Sequence, residues 1–170
     1  MKKTEEYAEV RGSFRDPSGF VLLREGLIYR QINRAYRGNY DHLVDSGLYD
    51  TLVREGLLVP HAEVGIQQAV TEDVYKVIRP EQIPFISYPY EWCFSQLKHA
   101  ALLTLEVQRK AFDFGMSLKD SSAYNIQFRK GRPIFIDTLS FEKVSVQGVP
   151  WRFYESLTFP SHSLYKSVLQ

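Results

Sequence analysis

The chain has 170 residues, 44% of them hydrophobic and 24% charged, with a formal net charge of +1. That near-balance gives no electrostatic reason to expect nucleic acid or an anionic membrane as a partner, and a chain of this length buries about two-thirds of its unfolded surface without needing disulfides. Cys93 is the only cysteine, so no intrachain disulfide or Cys-based zinc site can form, which fits a reducing, cytoplasmic setting.

In chain order, the first element is a turn at Asp16-Pro17-Ser18-Gly19, where proline presets φ and glycine tolerates positive φ. Two β-rich runs then flank Arg24-Glu25-Gly26, which predicts a hairpin over Phe20–Ile32. Ile28, Arg30 and Ile32 should share one face of its second strand, with Leu27, Tyr29 and Gln31 on the other. Residues 40–58 change to helical spacing through Leu43, Val44, Leu48, Leu52 and Val53. Gly47, about 1 kcal/mol worse than Ala inside a helix, is expected to divide that stretch, and Gly56 to stop it.

Further strands are expected at Val74–Ile78, closed by Pro80, and at Ile83–Ser87, where Pro84 argues for an edge. Tyr88-Pro89-Tyr90 reads as an extended connector. A long buried helix follows over Glu91–Phe114, one side traced by Phe94, Leu97, Ala101, Leu105, Gln108 and Phe112 and broadened by Ala100, Leu103, Val107 and Phe114, with Cys93 packed in the core at its start. Gly115 should end it. A loop (Met116–Asp120), a turn and two short strands around Arg129-Lys130-Gly131-Arg132 come next, that turn needing no phosphate partner. A short helix is expected around Trp151–Leu157. The pattern is α+β: a β-rich first lobe with one helix (1–90), then a shortened helical lobe with a β-hairpin (91–170).

Chemistry concentrates in Leu118-Lys119-Asp120-Ser121-Ser122-Ala123-Tyr124-Asn125, followed by Ile134-Phe135-Ile136-Asp137. An Asp-x4-Asn enters one strand and a second Asp leaves the next. Mg2+ favours a few hard oxygen ligands completed by water and phosphate, and an amide with a carboxylate at one end of a hairpin would supply two. The plainer alternative makes Asp120 a turn cap and Asp137 a strand-end cap.

The segment resembles the catalytic region of protein-kinase-like enzymes, in particular the aminoglycoside- and choline-phosphotransferase branch. The resemblance implies Asp120 as the residue that orients or deprotonates an attacking hydroxyl, and Asn125 and Asp137 as Mg2+ ligands. It also implies ATP as donor, a small-molecule or sugar acceptor, and Tyr88 and Tyr90 in a linker beside the adenine. Departures are plain. Leu118-Lys119 stand where the family has His and a following Arg or Gly, no Gly-rich phosphate loop is present, and Arg30 is the nearest substitute for the first-lobe lysine, with Glu55 its possible partner.

Asp16-Pro-Ser-Gly-Phe20, Tyr29-Arg-Gln-Ile32, Ser46-Gly-Leu-Tyr49 and Phe135-Ile-Asp137, with Pro150-Trp151, also look like the N-terminal region of bacterial nodulation-type or SAM-dependent methyltransferase-like proteins. That resemblance implies a non-catalytic substrate- or partner-binding module ahead of a methyltransferase domain. No Gly-rich SAM-binding turn stands in this chain, and the stretch beyond Asp137 is short for a full second lobe, as expected of a minimal version or part of a longer protein.

Overall fold

A computed structural model describes residues 8–9 and 16–144; the helix expected around Trp151–Leu157 and the Pro150-Trp151 phrase lie outside them. The described chain is α+β and divides into two compact units, one from Met1–Gly38 with Pro60–Gln82 and one from Asn39–Val59 with Ile83–Gln170.

The first unit is an antiparallel sheet in the order β1-β2-β3-β5-β4, formed by β1 (Ala8–Glu9), β2 (Gly19–Arg24), β3 (Leu27–Asn33), β4 (His61–Val64) and β5 (Val74–Pro80). The expected hairpin is β2–β3, with Arg24 opposite Leu27. Its two turn residues, Glu25 and Gly26, have φ of 51° and 75°. Two consecutive positive φ values follow the right-handed strand twist, so the strands stay paired instead of splaying. Ile32 on one face and Gln31 on the other are both fully buried. Gln31 is satisfied there: its amide nitrogen donates to Asn33 and Thr71, and its oxygen accepts from Val70 N at 3.0 Å. Those bonds fasten the 70–71 loop to the sheet.

The strand expected at Ile83–Ser87 is not formed; the segment is irregular, with Phe85 exposed. Pro84 has no N–H to give a ladder, and no neighbouring edge compensates. The sheet is instead completed by β4, whose mixed sequence His61-Ala-Glu-Val64 carries little alternation of its own and is aligned by β5.

The helices α1 (Arg37–Asp45), in the second unit from Asn39 on, and α2 (Leu48–Arg54) are separated at Gly47, whose φ is 84°, and α2 ends before Gly56, φ 72°. Both glycines stand where a side chain would be strained in the left-handed region. Leu43, Leu48 and Leu52 join Leu103, Val107 and Ala111 of α3 (Phe94–Asp113) in one core. The buried side of α3 runs through Ala100, Leu103, Thr104, Val107, Gln108 and Ala111. Phe94, Leu105 and Phe112 face outwards, contrary to the stripe expected from spacing. Ala100 and Ala111 are small enough to let packed neighbours approach that face closely. Cys93 is exposed at the helix start instead of lying in the core; its neighbour Trp92 is the buried residue.

Three short strand pairings complete this unit. The loop expected at Met116–Asp120 begins as β6 (Met116–Leu118), which pairs with β9 (Phe141–Lys143). The expected second hairpin is β7 (Ile126–Arg129) with β8 (Arg132–Phe135), joined by Lys130 and Gly131 at φ of 52° and 77°. Residues 57–59 run parallel beside Phe135, exchanging Val59 N to Phe135 O at 2.8 Å and Phe135 N to Leu57 O at 2.9 Å.

Candidate functional site

The β7–β8 register brings Asn125 and Asp137 to one end of that hairpin. Ile126 is opposite Phe135, and one step further out Ile136 N donates to Asn125 O at 2.8 Å. Asp137, the next residue, begins a turn in which its Oδ1 accepts from Leu139 N at 3.0 Å. The turn places Ser140 beneath both side chains. Its hydroxyl donates to Asp137 Oδ2 at 2.7 Å and accepts from Asn125 Nδ2 at 3.3 Å.

That arrangement fixes the orientation of the amide. The serine hydrogen is committed to the carboxylate, so the serine oxygen can only accept, and Asn125 must present its NH2. The Asn125 Oδ1 then points away from Ser140 without a partner among the described residues. An amide oxygen and a carboxylate held together in this way are a fitting pair of hard donors for Mg2+. Among the described residues no three His, Cys, Asp or Glu side chains converge as a metal cage. Any divalent ion here would need ligands beyond these side chains.

Asp120 is joined to this end of the unit through the backbone. Lys119 N donates to Ser140 O at 2.8 Å, continuing the β6–β9 ladder into the loop. Asp120 is exposed, and its Oδ1 caps Ser122 N at 2.9 Å. Ser122 in turn accepts from Tyr124 N at 3.3 Å and, through its carbonyl, from Asn125 N at 2.9 Å. The capping roles allowed by the plainer sequence reading are thus present for both aspartates. They leave the second Asp120 oxygen open and order the Asp120–Asn125 loop from end to end.

Tyr88 and Tyr90 lie on the connector before α3, their rings stacked at 5.4 Å and 5°. Tyr88 is extended (ψ 151°), as a residue before proline should be, and Pro89–Glu91 forms a 3-10 turn. Gln127, in the middle of β7, grips this connector at Ser87: Ser87 N donates to Oε1 and Nε2 donates to Ser87 O, both at 3.0 Å. Trp92 adds a bond from Nε1 to Ser87 Oγ at 2.8 Å and an edge contact with Phe128.

Arg30 belongs to the first unit, in the middle of β3 between Val21 and Ile78, with its Nε buried. Glu55, offered by sequence as its partner, is engaged within the second unit by Lys110 at 2.8 Å. Sequence reasoning missed Ser140 and Gln127. A signal existed for Ser140: a serine three residues after an aspartate, flanked by the apolar Leu139 and Phe141.

No helix among the described residues is long and apolar enough to cross a membrane. No family model matches the chain. The chain is similar to nodulation protein NoeA of Rhizobium meliloti (strain 1021), with 39% identity over 135 residues. That alignment covers 78% of this chain and only 28% of the relative, so the similarity reaches a limited part of a considerably longer protein.

Proposed function

We propose that the second unit carries a phosphotransferase-type site for Mg2+ and ATP, with a small-molecule or sugar hydroxyl as acceptor. The observation that carries this reading is the Asn125–Ser140–Asp137 bridge, which holds two hard oxygen donors at one hairpin end. Bound there, Mg2+ would neutralise phosphate charge. Asn125 and Asp137 would fix its position, and Asp120, with an open carboxylate oxygen on an ordered loop, would orient the acceptor hydroxyl and take its proton. Phosphoryl transfer asks a protein chiefly for such positioning and charge compensation. The stacked Tyr88–Tyr90 pair, as a nucleotide flank, belongs to the same proposal.

Thermal melting with and without Mg-ATP decides it. A ligand at 100 times its Kd stabilises by about 2.7 kcal/mol, and Asp137→Ala should remove that gain. A shift that survives Asp137→Ala would place the nucleotide elsewhere.

A second reading, a non-catalytic substrate- or partner-binding module working beside a methyltransferase domain, rests on the sequence resemblance alone; the relative's similarity extends only to a nodulation protein. The absence of any melting shift at millimolar Mg-ATP would leave that reading ahead.

A further inference from the structure

The β7–β8 hairpin has two ends, and the one away from Asn125 and Asp137 has surroundings of its own. Its Lys130-Gly131 turn forms one wall of an open cleft of about 650 Å³, with α3 opposite and the residues after α2 at its edge. The volume lies within the range of about 300–1,000 Å³ typical of small-molecule pockets. The lining includes Leu103 and Ile134, which are buried, and Leu102, a large apolar side chain left 47% exposed.

The rim is cationic. Lys130 and Arg132 are exposed, and neither side chain has a partner among the described residues. Glu55 also reaches the cleft, but its charge is compensated by Lys110 at 2.8 Å. Glu106 of α3 is the remaining acid of the lining, and no ion pair joins it to Lys130 or Arg132. The site therefore combines apolar surface, uncompensated positive charge at the turn and one acid on the facing helix.

We propose that this cleft binds a small organic anion. Its ring or chain would lie against Leu102, Leu103 and Ile134, and its carboxylate or phosphate would meet Lys130 and Arg132. An apolar body is needed because the exposed leucine contributes only when covered, whereas an inorganic ion would leave it in water. Glu106 limits the site to one anionic head, since a second would face it. The proposal is independent of the Mg2+ site.

Phenyl phosphate is a suitable probe, titrated into the isotope-labelled 170-residue chain at low salt, with inorganic phosphate in parallel. Saturable amide shifts at 102–106, 129–132 and 134 are expected with phenyl phosphate at millimolar concentrations, and much weaker ones with inorganic phosphate. Exposed charges act weakly, so Lys130→Ala or Arg132→Ala should each weaken binding about two- to fivefold, and Glu106→Gln should tighten it by a similar factor. Lack of saturation, equal response to both probes, or indifference to all three substitutions would overturn the proposal.

Discussion

The Ser140 hydroxyl donates to Asp137 at 2.7 Å from a position with no solvent exposure. Because the same oxygen accepts from Asn125, one small side chain determines the separation and orientation of the two proposed metal ligands. Ser140→Ala removes a buried partner from both and should lower unfolding free energy by about 1–3 kcal/mol. Urea denaturation measures this, and the melting gain with Mg-ATP should shrink in the same variant. A change below about 0.5 kcal/mol, the lower end for one hydrogen bond, would show that the bridge is not made in solution.

Gln127 is the corresponding device for the connector. With both ends of its amide on the half-buried Ser87 backbone, Gln127→Ala should cost about 1–2 kcal/mol, since both backbone groups lose their partner. Amide exchange at Ser87 should accelerate more than at the ladder residues of β7. Unchanged protection at Ser87 would mean that the connector is held by Trp92 alone.

Gly47 separates a backbone effect from a packing effect. A Cβ built there meets nothing within 4 Å, yet φ is 84°. Gly47→Ala should therefore destabilise by about 1–2 kcal/mol through backbone strain alone, and Gly47→Asn by less, because asparagine tolerates the left-handed region. Thermal melts of the two variants should fall in that order.

His61 makes stability pH-dependent. Burial pushes its pKa down from 6.5 to about 4; nearby Glu63 opposes that shift and Lys76 adds to it. The folded state thus binds fewer protons than the unfolded one between these values, so stability rises with pH across that window. The contribution is complete above 6.5 and is lost as pH falls towards about 4. Denaturation midpoints of the wild type should drop more steeply over this range than those of His61→Gln. Parallel curves would show that the imidazole is equally solvated in both states.

The features legible in the sequence were the local ones. The turn at Glu25-Gly26, the break at Gly47, the stops at Gly56 and Gly115 and the hairpin around Lys130-Gly131 each follow from the steric cost of positive φ, which acts within a few residues. Asp120, Asn125 and Asp137 are grouped by the resemblance to kinase-like phosphotransferases; hairpin pairing accounts only for Asn125 and Asp137 ending near each other.

Other features required the folded chain. Ile83–Ser87 has more strand-like composition than His61–Val64, but only the latter found an edge, that of β5, to pair with. α3 carries apolar residues on more than one face, and contact with Leu43, Leu48 and Leu52 selected the face containing Ala100 and Ala111. Ser140 was brought under Asp137 and Asn125 by the β6–β9 pairing and the turn between them. A residue's own chemistry sets its backbone preferences, whereas burial and pairing are set by partners far along the chain, whose positions exist only once both have folded.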